Sequence, residues 1–315
     1  MTAPNIGAQH LSGRAGEPTL SAVVVAHNEA AQLADCLEAL AFADEVVVLL
    51  DRCTDGSRDI AMHFADRIVE GAWPREAARR NAAVAACTGD WIFEADADER
   101  VSPALAAEIR SVIAHSAAAW HLVPVDNYIG DRLVRWGWGA FFGRSAHAGL
   151  YRRGVKSWSD DRVLHASVTL TGQQGANLEQ RLTHYVDRNI SDMLIRLDRY
   201  TTLRAQDLRA SGEIGSLAHN IRRIASRFWK CYVGRRGYRE GPYGFLIALC
   251  AALYPILSYL KARLEPEEPA SSCALTPDSL FAVSAPGSRP PRGGDQTGTE
   301  QAVAAPVRGG ARLAE

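Results

Sequence analysis

The sequence lacks the residue patterns of several common protein classes. Its six cysteines include no C-x-x-C pair, and no two histidines have the spacing of a zinc protease. Zinc sites and a disulfide framework are therefore disfavoured, and a reducing cytosol fits the cysteine pattern best. The formal net charge is only -1, so the surface as a whole does not bind a polyanion, and we expect no nucleic-acid partner. Any electrostatic partner must be held by a local patch.

A long apolar run near the start is also missing. Residues 1–18 are polar and contain Gly and Pro, so we expect a flexible N-terminal arm without a signal peptide. Any catalysis is then expected on the cytosolic side. Residues 265–315 are rich in Pro, Gly, Ala and Ser, and they carry too little apolar surface to offset the entropy of ordering. We predict a disordered tail there.

The remaining chain has regular patterns. Runs of β-branched and aromatic residues predict buried strands at Leu20–Ala26, Glu45–Leu50 and Trp91–Ala95. The segments between them have the apolar spacing or the Ala-rich composition of helices. Strands that alternate with helices over residues 19–125 predict an α/β domain, with a mostly parallel, Rossmann-like sheet and helices on both faces.

The residues that follow these three strands are polar. They read "AHNE" (residues 26–29), "DRCTDGS" (51–57) and "DADE" (96–99). Open α/β sheets bind ligands beyond the carboxyl ends of their strands. Three polar exits on one edge therefore favour a binding site over three unrelated turns.

The residue types at these exits suit a nucleotide and a cation. Asp96 and Asp98 could hold a ribose and Mg²⁺ or Mn²⁺, because hard cations take oxygen ligands from protein and phosphate together; the alternative is a solvated acidic turn. Asp51 could accept a hydrogen bond from a pyrimidine imide or a ribose, or belong to an ordinary turn. Arg79 and Arg80 suit a diphosphate, although most helical arginines lie on solvated faces.

The segments "SAVVVAHNEA", "VVVLLDRCTDGSRDIA" and "REAARRNAAVAACTGDWIFEADADERVSP" together resemble glycosyltransferase family 2, which has a GT-A fold. The resemblance covers about residues 20–125. More weakly, "GLYRRGVKSW" and "RNISDMLIRLDRY" resemble the subgroup that adds glucose to heptose in the lipopolysaccharide inner core.

The resemblance implies a UDP-sugar donor, a divalent cation (Mg²⁺ or Mn²⁺) and inverting transfer. It also implies a role for each matching residue. Asn28 and Glu29 would lie near the uridine, Asp51 would bind the uracil, Arg80 would stand by the base or the diphosphate, Asp96 would contact the ribose, and Asp98 would bind the metal.

The sequence departs from the family pattern at Val163-Leu164-His165-Ala166, where similar proteins often have His-Glu and the Glu acts as the base. Ala166 has no acid to offer. Asp160 and Asp161 are the nearest carboxylates, and His165 has a suitable pKa in its unperturbed state, although it could equally be a packing residue. A polyprenyl phosphate acceptor, which needs little base, and a non-catalytic sugar-nucleotide sensor at the membrane surface are the alternatives.

The rest of the chain is expected to serve the acceptor. Residues 126–188 are predicted to form acceptor-side loops and hairpins, and residues 189–264 a helical, membrane-associating region. Seven Arg and Lys residues between 222 and 239 precede the uncharged run Tyr243–Leu260, which suggests an element in the headgroup region of an anionic membrane. A buried core helix is the alternative. A lipid-linked saccharide acceptor and a peripheral location on the inner face of the bacterial inner membrane would follow.

Overall fold

The structure is a computed structural model, and it describes residues 16–138, 143–159 and 167–265. The predicted disordered tail, most of the predicted N-terminal arm, and the candidate bases Asp160, Asp161 and His165 lie outside the described residues.

Four parallel strands form one half of the main sheet, in the order β3-β2-β1-β4. Their β-branched runs favour extended backbone. Each of the first three strands is followed by a helix. The elements are β1 (Leu20–Ala26), α1 (Ala30–Glu38), β2 (Glu45–Asp51), α2 (Ser57–Phe64), β3 (Arg67–Gly71), α3 (Glu76–Ala85) and β4 (Trp91–Asp96).

The other half of the sheet contains antiparallel pairs. Its elements are β5 (Glu99–Arg100), α4 (Pro103–His115), β6 (Trp120–Ile129), β7 (Arg132–Val134), β8 (Ala146–Arg152) and β11 (Leu182–Asp187). β8 runs antiparallel to both β4 and β6, β11 is parallel to β6, and β5 is antiparallel to β11. The predicted α/β class is confirmed, and the nine-stranded sheet is mixed. A separate hairpin pairs β9 (Lys156–Ser159) with β10 (Ser167–Leu170).

Helices cover both faces of the parallel half. Alternate residues of β1 point to opposite faces: Val24 packs with α1 and α4, while Val23 packs with α3. Strands buried on both faces read as continuous apolar runs, and this explains why β1 and β2 lack an alternating pattern.

Two elements extend or begin for identifiable physical reasons. β6 continues to Ile129, because its residues alternate between buried and partly exposed over the whole length and its polar members pair across the sheet. α2 begins at Ser57 with Gly56 as its N-cap. The Ser57 hydroxyl accepts a hydrogen bond from the backbone N–H of Glu29 at 2.9 Å and does not cap the helix.

Three long helices follow the sheet: α5 (Ile190–Ser211), α6 (Leu217–Trp229) and α7 (Pro242–Leu264). α7 packs against both α5 and α6 around an apolar cluster that includes Met193, Leu197 and Ile247. Among the described helices, α7 is long and apolar enough to cross a membrane, but 56% of its apolar window is buried in the protein. Its inner face is therefore a core face.

Candidate functional site

The ends of β2 and β4 lie on the same edge of the parallel half of the sheet. Asp51 ends β2, Asp96 ends β4, and β1 lies between the two strands. Consecutive residues of α3 contact both acids: a guanidinium nitrogen of Arg79 lies 3.2 Å from Asp51 Oδ2, and one of Arg80 lies 3.5 Å from Asp96 Oδ1. One helix therefore spans the two exits.

The exit of β1 is hydrogen-bonded to the exit of β2. Asn28 has φ 57°, in the left-handed region that Asn tolerates better than most residues. Its Oδ1 accepts a hydrogen bond from the backbone N–H of Thr54 at 2.8 Å. Asp55 Oδ2 likewise accepts from the N–H of Ala30 at 2.9 Å. The Asn-Glu and Asp-Gly-Ser segments therefore form one connected rim.

Asp51 is 1% exposed, and hydrogen bonds occupy its carboxylate. Arg52 donates to both oxygens at 3.0 Å, the backbone N–H of Trp73 donates at 3.1 Å, and Arg79 donates at 3.2 Å. Burial raises the pKa of Asp51, but these donors outweigh it and the net pKa is lowered. Four hydrogen bonds use the roughly four lone-pair sites of a carboxylate, so any ligand that donates to Asp51 has to displace one of the present donors. Arg52, whose side chain is 57% exposed, is the most easily moved.

Asp96 lies between two guanidinium groups. Besides Arg80, the Arg144 side chain donates to Asp96 Oδ2 at 3.0 Å and to the fully buried Glu99 at 2.6 Å. Burial raises the pKa of Asp96, but Arg80 and Arg144 outweigh it and hold the pKa well below its usual range. Burial dominates at Glu99, whose pKa is raised despite Arg144. Asp96 is thus ionised and oriented before any ligand arrives.

Asp98 pairs with a histidine that the sequence did not indicate. His184 Nε2 lies 3.3 Å from Asp98 Oδ2, and His184 Nδ1 lies 2.9 Å from Asn127 Oδ1. The Asn127 amide donates to the carbonyl of Arg144, so its oxygen faces His184 and Nδ1 carries the proton. Burial lowers the pKa of His184, but the bond to Asp98 and the charges of Asp98 and Glu99 raise it overall.

A fourth carboxylate faces the same acids. Burial and the neighbouring charges of Asp98 and Asp96 raise the pKa of Glu29 to about 7, although Arg199 of α5 lowers it. Glu29 was predicted to lie near a uridine. Since Asp98 and Asp96 contribute to this raised pKa, a cation bound by those acids would also relieve the repulsion at Glu29.

The residues fit a divalent cation completed by a substrate. Within residues 16–138, 143–159 and 167–265, no three His, Cys, Asp or Glu side chains are grouped so as to hold a metal by themselves. Asp98 Oδ1, however, is buried without a hydrogen-bond partner among those residues. An orphaned carboxylate oxygen beside an imidazole is a suitable start for a site in which phosphate and water supply the other ligands.

The β9–β10 hairpin is linked to α3 and β4. The Asn81 side chain donates to the carbonyl of Trp158 at 2.8 Å and accepts from its N–H at 3.0 Å. Lys156 of the hairpin forms a buried ion pair with Glu94 of β4, two residues before Asp96. These links hold the hairpin against α3 and β4. The candidate bases in residues 160–166 lie outside the described ranges.

A mixed α/β sheet with an Asp-x-Asp exit, arginines and an unpaired buried carboxylate oxygen at neighbouring strand ends fits a glycosyltransferase with a GT-A fold. Residues 21–156 match the sequence model of the family described as "Glycosyl transferase family 2", and this segment is a glycosyltransferase family 2 domain. The family resemblance of the sequence is therefore confirmed.

One sequence relative and one solved structure that are similar to this chain are glycosyltransferases by name. The chain is 25% identical over 254 residues to the lipopolysaccharide core biosynthesis glycosyltransferase LpsC of Rhizobium meliloti, covering 77% of this chain and 91% of LpsC. Among solved structures, it is similar to the mannosyltransferase PcManGT of Pyrobaculum calidifontis in complex with GDP-Man and Mn²⁺, with a TM-score of 0.46, 16% identity, and coverage of 80% of this chain and 89% of that one.

Proposed function

We propose that the chain is an inverting glycosyltransferase that moves a sugar, glucose by the sequence resemblance, from a UDP-sugar to a lipopolysaccharide-core or other lipid-linked saccharide, with Mg²⁺ or Mn²⁺. The observation that supports the proposal is the Asp98–His184 pair, with its unpartnered carboxylate oxygen, two residues beyond Asp96 at the end of β4.

The nucleoside would lie along the rim formed by the exits of β1 and β2. Asp51 would accept the imide N–H of uracil after Arg52 swings away, and Asn28 would border the base. Asp96, held by Arg80 and Arg144, would accept from the ribose hydroxyls. Because the Asp96 carboxylate is already held in position, it loses little conformational entropy when it accepts these hydrogen bonds.

The diphosphate would bind between the cation and the arginines. Asp98 and His184 would hold the cation, and Arg79 or Arg80 would donate to the phosphate oxygens. A bound divalent cation would neutralise the charge that develops on the departing UDP, which is the kind of stabilisation that usually dominates such transfers. Nδ1 of His184 would keep its hydrogen bond to Asn127, while a metal held by Nε2 and Asp98 would replace the proton that these two atoms share in the metal-free protein.

Inversion requires the acceptor hydroxyl to attack the anomeric carbon from the side opposite to UDP while a base removes its proton. Asp160, Asp161 and His165 remain predictions for that base, since Ala166 cannot act. The alternative acceptor, a polyprenyl phosphate, is already ionised and would not need one. The relationship to LpsC supports the saccharide acceptor.

The test is UDP release from UDP-glucose in the presence of truncated lipopolysaccharide core or of polyprenyl phosphate, with and without Mn²⁺. We expect release with the core acceptor, dependent on metal and abolished in Asp98→Asn. Asp59→Asn, a change of the same chemistry at an exposed position of α2, is the matched control. Release only with polyprenyl phosphate would establish the alternative acceptor, and tight UDP binding without any transfer would favour a non-catalytic sensor.

We further propose that the enzyme works at the cytoplasmic face of the inner membrane. A lipid-linked acceptor is confined to that surface, so an enzyme that binds the membrane shares the same plane with its substrate. The charge and exposure of the C-terminal helices support this location.

A further inference from the structure

The segment that contains α6 and most of its connection to α7, residues 217–239, has charge of one sign. Residues 217–239 contain seven Arg and Lys residues and no Asp or Glu, in a chain whose net charge is -1. Such a concentration of cations is costly for a folded protein unless an anionic partner compensates it. These cations are Arg222, Arg223, Arg227, Lys230, Arg235, Arg236 and Arg239.

The same segment exposes large apolar side chains. Along α6, Leu217 is 46% exposed, Ile221 53% and Trp229 67%, and their spacing of four and eight residues places them along one side of the helix. Arg222 and Lys230 each follow one of these residues in sequence, so they border the apolar stripe. An apolar stripe bordered by cations is typical of helices that lie in a membrane interface.

The beginning of α7 extends this stripe. Phe245 is 49% and Leu249 36% exposed, one helical turn apart. The ring of Phe245 lies 5.6 Å from that of Phe228 in α6 and 6.2 Å from that of Tyr232, measured between ring centroids. The exposed residues of α6 and α7 therefore belong to one continuous apolar surface.

From these observations we propose that α6 and the first turns of α7 form the membrane-binding surface, with α6 lying in the plane of an anionic bilayer and Ile221 and Trp229 inserted among the lipid headgroups. This inference deepens the proposed function, on which it rests for the lipid-linked acceptor. It also moves the main membrane contact from the uncharged run of α7, where the sequence suggested it, to the amphipathic helix before it.

Charge decides between an anionic bilayer and other occupants. A second copy of this chain would bring the same cations face to face, and α6 has no acids to compensate them. A spanning α7 would require its packed face to leave α5 and α6. Anionic lipids satisfy the cations and the apolar stripe at once, at about 1 kcal/mol for each cation near the surface.

The experiment is sedimentation of the full chain with vesicles of phosphatidylcholine alone and of phosphatidylcholine mixed with phosphatidylglycerol. We expect binding only to the anionic vesicles, weakening as salt is raised from about 0.1 M to about 1 M. The double variant Ile221→Ser/Trp229→Ser should bind at least about tenfold more weakly. Arg222→Gln/Lys230→Gln should lose about tenfold and retain less salt dependence. Met62→Ser, at a 60% exposed apolar residue of α2, is the control and should bind as wild type.

Other outcomes would overturn the inference. Wild-type binding that survives alkaline carbonate washing would indicate a spanning α7, and a dimer that the α6 variants dissociate would indicate a second copy as the partner. Equal binding by wild type and both α6 variants would place the contact elsewhere. UDP release with a soluble core acceptor, measured on the same preparations, keeps the two proposals separate: it should be unchanged in the α6 variants, and its absence in the wild type would refute the proposed function instead.

Discussion

Removal of Arg144 should destabilise the fold and do so in a pH-dependent way. The Arg144 guanidinium neutralises Glu99, whose side chain is fully buried, at 2.6 Å, and it also contacts Asp96 at 3.0 Å. Arg144→Met keeps much of the side-chain volume and removes the charge. Glu99 would then be left as a buried carboxylate. Among the described residues, the backbone N–H of Asp96 would be its remaining hydrogen-bond donor.

The size of the effect follows from the burial of the pair. Loss of one partner from a buried ion pair costs about 3–5 kcal/mol. The Arg144 side chain is 34% exposed, so water already weakens the pair, and we expect a loss of about 2–3 kcal/mol in the free energy of unfolding near pH 8. The pKa of Glu99 is already raised above 4.5 in the folded protein, and loss of Arg144 raises it further. The folded variant therefore binds a proton that the unfolded chain does not, and its deficit shrinks as pH falls towards about 4.5.

Urea unfolding followed by circular dichroism at several pH values measures this deficit. The double variant Arg144→Met/Glu99→Gln removes the buried charge, so it should be more stable than Arg144→Met near pH 8 and show no comparable dependence on pH. A deficit in Arg144→Met that is the same at pH 8 and pH 5 would refute the interpretation that buried, ionised Glu99 depends on Arg144.

Further changes have separate expected results. Glu29→Gln should stabilise the metal-free protein by about 1–2 kcal/mol near pH 8 and have no effect below about pH 4.5, because the raised pKa of Glu29 makes its ionised form unfavourable in the folded state; a stability gain that persists at low pH in thermal unfolding would contradict this. His184→Ala should raise the Mn²⁺ concentration for half-maximal UDP release by about tenfold or more, and an unchanged Mn²⁺ titration would exclude His184 as a ligand. Asn81→Ala should lower kcat by about tenfold or more with little change in the KM for UDP-glucose, because the hairpin at Trp158 loses its tether; a change in the donor KM alone would indicate direct donor contact instead.

Local patterns were sufficient to predict that Asp51 and Asp96 lie at strand ends on one edge of the sheet. Asp51 and Asp96 directly follow apolar runs, and the topology of a parallel sheet brings such strand ends together. The same reasoning placed Arg79 and Arg80 on the helix before β4, where the structure finds both in contact with the acids.

His184 and Arg144 could not be predicted as site residues, because strand pairing between distant parts of the chain brings them to the acids. His184 reaches Asp98 because β11 pairs with β5, which places His184 opposite Glu99 although 85 positions separate them in the chain. Arg144 enters from the segment before β8, which joins the sheet antiparallel to β4. Neither residue has a motif around it, so only the register of the mixed half of the sheet could reveal it.

The C-terminal helices show a different limit of sequence reasoning. Hydropathy draws attention to α7, whose apolar run is the longest in the chain, but hydropathy cannot distinguish a helix packed in a core from one that meets lipid. The packing of α7 against α5 and α6 resolves this for its inner face, while α6 is the helix that combines exposed apolar residues with a high density of cations and no acids.

Calorimetry of UDP binding, with and without Mn²⁺, tests most directly whether three strand ends hold one cation-bound nucleotide. We predict that wild type binds UDP more tightly with Mn²⁺, that Asp98→Asn loses this difference, and that Asp51→Asn binds UDP more weakly under both conditions. Full Mn²⁺ dependence in Asp98→Asn, or wild-type affinity in Asp51→Asn, would contradict a shared cleft.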